Sequence, residues 1–358
     1  MEHSDPGKSL NRAIVSLKML GILLLVVMFL GIWLITSPYL KISGKNSTRP
    51  EAAVIPADAD FTNLWTAPDE WRMMRLEPEE QERIKYGKDL IAHTSKYLGP
   101  KGSVSKISNG MNCQNCHLNA GSQPWGNNYF AVQATYPKFR ERSGTTENQV
   151  KRINDCLRRS LNGQALDSTS REMKSILAYL KWLGSDVTRN KIPKGSGIYK
   201  LKPLNTAADP GKGRLVYQAR CQSCHQENGE GVLAMDKKEY IYPPLWGIHS
   251  YNTGAGLFRL SSFAGYVKMN MPFGVTYQKP QLSDEEAWHV AAYVNSMPRP
   301  GKNLSEDWPD ISGKPFDHPF GPYADPFPEE QHKYGPFKPI RDWIKKNKKV
   351  KNAIITKS

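Results

Sequence analysis

Two short segments of this chain carry the residue types of a covalent cofactor site: CQNCH, from Cys113 to His117, and CQSCH, from Cys221 to His225. C-x-x-C-H is the attachment signal of c-type haem. Two thiols add to the two vinyl groups of one porphyrin, and the next His falls beneath the ring as an axial iron ligand. The alternatives are a redox dithiol or half a zinc site. A dithiol has no use for the trailing His. A zinc site needs a second pair nearby, and these pairs lie in different halves of the chain. Together they use four of the five cysteines. The expectation is two covalently attached haem c, bound through Cys113, Cys116 and His117 and through Cys221, Cys224 and His225.

The other axial position sets the redox potential. In the second half, Asn270-Met271-Pro272 follows the motif at a spacing that suits a thioether ligand. Met271 is the choice, with Met269 and Lys268 as rivals. The first half has no such Met-Pro. It has Cys156, the leftover thiol, in a stretch where a distal ligand is needed. Lys151, Arg152, Arg158 and Arg159 surround it, and cations favour the thiolate. A thiolate on iron stabilises the ferric state. A low-potential centre beside a higher-potential one makes a two-step electron path. Arg152, Cys156, Ser160 and Gln164 advance by four, so a helix would place them on one face, where a guanidinium can hold an oxyanion. The bland alternative for the arginines is a solvated face or contacts to haem propionates.

The elements that must position these residues repeat as well. A helix-like stretch precedes each motif, Glu80–Tyr97 and Gly211–Gln218, with Gly87 and Gly213 in similar places. After each motif comes a helix that opens on a capping box: Thr169 with Glu172, and Ser283 with Glu286. Both later helices hold an Ala-Tyr pair, Ala178-Tyr179 and Ala292-Tyr293. These are the parts of a small cytochrome c fold. The expected class is all-α, two cytochrome c domains in tandem after an N-terminal transmembrane helix. The divisions are 1–40 for the cytoplasmic N-terminus and anchor, 41–75 for a tether, 76–195 for the first domain and 196–204 for a linker. The second domain follows at 205–300, and an irregular extension with a basic tail at 301–358.

The anchor rests on Met19–Ile35, which carries no charge and approaches the about 20 residues of a membrane span. Lys8, Arg12 and Lys18 precede it, which keeps that end in the cytoplasm. The remainder is then periplasmic, on a bacterial inner membrane. A cleaved signal peptide is the rival, but no Ala-x-Ala site follows the run. The 358 residues are 39% hydrophobic and 23% charged, too apolar for a disordered chain. Five cysteines are too few for a disulfide scaffold. The formal charge of +15 gathers anionic substrates. Nucleic acid is not expected as a partner of an exported chain.

The chain resembles the diheme thiosulfate dehydrogenases over roughly residues 60–340. The resemblance rests on GMNCQNCHLNAG (Gly110–Gly121), on NDCLRRSLNGQAL around Cys156, on CQSCH and on the Asn270-Met271-Pro272 loop. It implies oxidation of two thiosulfates to tetrathionate at the Cys156-ligated haem, a reaction that can run in reverse. Essential arginines of that family fall on Arg142 and Arg152, and Ser160 and Gln164 take matching places. The implied acceptor is a cytochrome or a membrane redox partner. Many relatives are soluble, so the anchor is a departure. The alternative is a membrane-anchored diheme electron carrier without its own substrate. A pure carrier would be expected to use Met or His at both irons, so Cys156 with Arg142 and Arg152 separates the two readings. Mass spectrometry of the intact protein from the membrane fraction should show the chain plus two haems. A single haem, or haem extracted by acid-acetone, would contradict the motif reading, and a soluble species starting near residue 40 would contradict the anchor.

Overall fold

The computed structural model describes residues 6–36, 55 and 60–355. Two compact units emerge, Met1–Glu51 and Ala52–Ser358. The helices of ten residues or more are α1 Pro6–Thr36, α2 Pro78–Ala92, α3 Gln149–Arg159, α4 Arg171–Leu183, α5 Pro210–Arg220, α6 Leu260–Asn270, α7 Asp284–Ser296 and α8 Phe337–Ile355. Two small antiparallel ribbons accompany them, Lys138–Arg140 with Thr145–Glu147 and Val232–Leu233 with Tyr240–Tyr242. The fold is thus mostly helical rather than strictly all-α.

The first unit contains α1. Its described side chains, residues 15–30, are all exposed. Among the described residues no helix is long and apolar enough to cross a membrane. The anchor expected from sequence is therefore not shown. Residues 37–40 at the end of the expected anchor, and 41–54 and 56–59 of the expected tether, lie outside the described residues.

In the second unit the same helix crossing is built twice. Helix α2 packs on α4, and α5 packs on α7. At the first crossing, a Cβ on Gly87 would fall 2.0 Å from the Ser175 carbonyl oxygen and 2.9 Å from the Tyr179 Cβ. At the second, a Cβ on Gly213 would fall 1.9 Å from the His289 oxygen and 2.8 Å from the Tyr293 Cβ. Any side chain at either glycine would push the helices apart. The paired Gly and Ala-Tyr signals of the sequence are the two sides of these contacts.

Helix ends follow local chemistry, with two departures from expectation. The box at Ser283 forms as expected: its hydroxyl accepts from the Glu286 N–H at 3.1 Å, and Glu286 accepts from the Ser283 N–H at 2.7 Å. At α4 the cap is Ser170, which accepts from the Met173 N–H at 3.1 Å. Thr169 instead donates to the Asp167 carboxylate at 3.0 Å, and Glu172 accepts from the Tyr86 hydroxyl at 2.9 Å. The expected helix Glu80–Tyr97 breaks at His93, whose φ of −126° and ψ of 43° separate α2 from the short helix Thr94–Leu98.

The halves share one apolar core, with Ile84, Leu157 and Leu180 in the first and Tyr217, Tyr266 and Trp288 in the second. The segment after residue 300 lies along both. The Trp308 N–H donates to the Arg142 carbonyl at 2.7 Å, and the Ala208 N–H donates to that of Tyr334 at 2.8 Å. This segment is less irregular than expected, because it holds Glu329–Tyr334 and α8. Pro339 sits in the first turn of α8, where no intrahelical N–H bond is lost. Phe337 and Ile340 recur at helical spacing and are 2% and 0% exposed, so their burial holds the start of the basic tail as helix.

Overpacking a close crossing costs roughly 1–3 kcal/mol. Gly213→Ala should lower the thermal midpoint of the holoprotein accordingly. Gly301→Ala, with nothing within 4 Å of the added carbon, should leave it nearly unchanged.

Candidate active site and cofactor sites

In the first half, the turn Cys113–Asn115 is tied down on both sides. The Cys113 N–H donates to the Thr94 hydroxyl at 2.9 Å, and the Asn112 N–H to the Asn115 side-chain oxygen at 2.7 Å. The His117 Nδ1 donates to the Asn127 carbonyl, and the His117 ring stacks on Tyr129 with centroids 4.3 Å apart. A carbonyl only accepts, so Nδ1 carries the proton and Nε2 keeps its lone pair for a metal. Burial, ahead of every other cause, lowers the His117 pKa to about 4, so the ring is neutral at pH 7. In the second half, His225 Nδ1 donates to the Pro243 carbonyl at 2.9 Å, and burial again lowers its pKa.

The thiols fit haem attachment better than dithiol chemistry. Burial pushes Cys113 up to about 11 and Cys116 and Cys221 up to about 12. A reactive redox pair would need a lowered value. None of the five cysteines is in a disulfide. Among the described residues no group of three or more His, Cys, Asp or Glu is placed to hold a bare metal ion.

Beside the second motif lies a cavity of about 390 Å³, lined by Cys221, Cys224, His225, Met271 and Tyr242 and, from the first half, by Cys116. The donor set and the apolar walls suit a haem. Met271 follows α6 directly and faces this space. Met269 is 0% exposed and lies among the buried core residues. Lys268 is equally buried, and its Nζ donates to the Leu282 carbonyl and to Asp284, each at 2.7 Å. The geometry favours Met271 over both rivals.

Cys156 lies on α3, whose first turn is capped by Asn148 through the Lys151 N–H at 2.9 Å. Arg152, one turn earlier, is raised above its ordinary pKa first by negative charge on Cys156, against the cost of burial. Its own charge helps depress His117. The structure thus brings Arg152, Cys156 and His117 together. Ser160 is the C-cap of α3. Gln164 does not share the helical face expected for it: the helix ends at Arg159, and Gln164 lies in the loop that follows. Its backbone N–H bonds the Ile107 carbonyl at 2.9 Å. The four-residue repeat continues in the sequence beyond the helix that would give it meaning.

Arg142 is largely buried on the wall of a second cavity, of about 560 Å³, with Arg158, Arg159 and Asp307. Its Nη1 donates to the Gly254 carbonyl at 2.8 Å, and its guanidinium lies 4.7 Å from the Trp308 ring centre. Burial, and next the charge of Arg159, lower its pKa to about 10, so it stays a cation at neutral pH. The sequence reading missed the Asn127 and Pro243 carbonyls, which have no residue-type signature. It also missed Tyr129, Asp307 and Trp308.

The helix crossings and the two C-x-x-C-H turns define a tandem c-type cytochrome. The profile described as SoxA/TsdA, cytochrome c domain, matches residues 103–187, and that of cytochrome c matches 211–298. The chain is 39% identical to the thiosulfate dehydrogenase of Allochromatium vinosum, over 59% of this chain and 79% of that one. It is 38% identical to that of Psychrobacter arcticus, over 63% and 66%. The solved thiosulfate dehydrogenase TsdBA of Marichromatium purpuratum superposes with a TM-score of 0.61 at 30% identity, covering 67% of this chain and 50% of that one. The chain belongs to the thiosulfate dehydrogenase family. It spans only part of these relatives' length: 66% of the Psychrobacter protein and half of the solved chain.

Met271→Ala should abolish the near-infrared thioether-to-iron band of the oxidised protein. Met269→Ala should keep that band while costing about 2–5 kcal/mol through the cavity it opens. The reverse pattern would assign the ligand to Met269.

Proposed function

We propose that this chain is a diheme cytochrome that couples two thiosulfates into tetrathionate and passes the two electrons released to an acceptor. The observation that carries this reading is Cys156 on α3 with the Arg152 cation one turn away, a cation close enough to His117 to help depress the pKa of its ring. A carrier without a substrate has no need for that group. A haem attached at each C-x-x-C-H motif would supply a one-electron acceptor.

The chain's own residues do the rest. His117 and Cys156 would hold the iron of a haem attached at the first motif, and His225 and Met271 that of a haem at the second. Arg152 offers paired N–H donors to an oxyanion. Arg142 handles the dianion from the neighbouring cavity wall, and Ser160 adds a hydroxyl at the end of α3. Gln164, in the loop beyond α3, adds a polar side chain to the same substrate. The Cys156 thiolate joins the outer sulfur of one thiosulfate, forming an S–S bond as two electrons leave. The outer sulfur of the second thiosulfate then attacks the sulfur bonded to Cys156. Tetrathionate departs, and the thiolate is restored. Atoms and charge balance over the two steps.

The remaining assignments are proposals on the sequence. Helix α1 is 31 residues long, about 46 Å at 1.5 Å per residue. Its uncharged Met19–Ile35 run, with basic residues before it, supports a single inner-membrane anchor with the haem domains in the periplasm. A cytochrome or a membrane redox partner is then within reach as acceptor.

Thiosulfate should reduce the haem bands of the purified protein, and tetrathionate should reoxidise them. Cys156→Met keeps a sulfur ligand but loses the nucleophile. Turnover should fall by three powers of ten or more, about 4 kcal/mol of barrier, while an artificial donor still reduces both haems. Wild-type-like turnover in Cys156→Met would end the covalent role. Haem bands that never respond to thiosulfate would leave the electron carrier as the better reading.

A further inference from the structure

Asp307 and Trp308 lie beyond residue 298, outside both matched regions of the chain. They nevertheless meet the arginines of the first half. Both oxygens of Asp307 accept from Arg159, Nη1 and Nη2 each at 2.9 Å. The same carboxylate lies 4.0 Å from the Arg142 Nε, too far for a hydrogen bond. The Arg142 guanidinium lies against the Trp308 indole at 4.7 Å, and its backbone carbonyl accepts from the Trp308 N–H at 2.7 Å.

Trp308 holds a φ of +57°. A bulky residue in the left-handed region is strained, and such strain persists only where its surroundings over-determine it. Here they do. The ring is edge-on to His318 at 4.2 Å, and the side chain is 4% exposed. The next residue, Pro309, fills the space above Gly144, where a Cβ would fall 2.6 Å from its Cγ.

We propose that Asp307 and Trp308 are positioning residues that hold Arg142 and Arg159 as a station for a sulfur oxyanion on its way to Cys156. One carboxylate between two guanidinium groups leaves a surplus of positive charge. The indole takes the face of the Arg142 guanidinium, and Gly254 takes a single donor. Further N–H edges stay available to a dianion. The proposal rests on the reading of Arg142 as a substrate-handling residue.

The test uses the holoprotein, with thiosulfate as substrate and sulfate as an unreactive competing dianion. Trp308→Ala should raise the KM for thiosulfate and the inhibition constant for sulfate about tenfold, or about 1.4 kcal/mol. The value of kcat and the haem spectra should be nearly unchanged. Trp308→Phe keeps an aromatic face for the cation and should restore most of the loss. Asp307→Asn tests the sign, and does so even if Trp308→Ala fails to fold. Removing a negative charge would by electrostatics alone tighten anion binding, whereas loss of positioning should weaken it. A lower KM in Asp307→Asn overturns the proposal. So does an unchanged KM in both Trp308→Ala and Asp307→Asn together with a raised KM in Arg142→Ala. If Arg142→Ala itself changes neither constant, the underlying reading of Arg142 fails, and the positioning role with it.

Discussion

A helix backbone touching another helix backbone at a residue without a side chain is the constraint on which the rest of the second unit depends. Gly87 and Gly213 make that contact with the carbonyls of Ser175 and His289. Close approach brings α2 onto α4 and α5 onto α7. The first C-x-x-C-H turn is tied to the chain just past α2 through the Thr94 hydroxyl, and the second follows α5 directly. Each turn is short, so a small opening of the crossing would move both thiols and the histidine together. Tyr179 and Tyr217, each 1% exposed, fill the space beside the crossings. Tyr179 donates to the Ala120 carbonyl at 3.0 Å and Tyr217 to the Gln226 carbonyl at 2.5 Å. Each ties its crossing to the chain just after the motif histidine.

Burial sets the electrostatics that follow. It keeps His117 and His225 neutral and holds the thiols of Cys113, Cys116 and Cys221 protonated. Cations are admitted to the same neighbourhood only with compensation. Arg152 has Cys156, Arg159 has Asp307, and Arg142 has a carbonyl, an indole face and the more distant Asp307. Arg142 is the least compensated of the three, and its pKa falls accordingly. A buried guanidinium with unfilled donors is poised for an anion, because the cost of desolvation has already been met in folding.

What the sequence made legible was local. C-x-x-C-H carries its chemistry in adjacent residues, and the Ser283 box closes within one turn. The paired glycines and tyrosines repeat because each crossing needs both. What it hid was non-local or lay at element ends. Gln164 continues a spacing of four, but the helix has already ended at Arg159. Thr169 has the residue type and spacing of a cap, but its hydroxyl goes to Asp167 and Ser170 caps α4 instead. Nothing near Arg142 in the chain announces Trp308, since that contact closes over more than half the length of the second unit. The carbonyls that orient the histidines have no side-chain signature at all.

The two halves also set each other's sites. Tyr266 on α6 donates to the Asn115 carbonyl inside the first C-x-x-C-H turn at 2.9 Å. Asn270, at the end of the same helix, accepts from Gln123 at 2.7 Å and donates to the Trp125 carbonyl at 3.1 Å. The next residue is Met271. The backbone that carries it is therefore held from the loop that follows His117, and Cys116 lines the cavity that Met271 faces. A rigid link of this kind keeps the two centres close and their spacing constant, which a short electron path requires. It also means that neither half is a free-standing module: the distal side of the second centre is built partly from the first. Two domains that each carry a common fold thus become one redox unit through a few polar contacts that neither half could make alone.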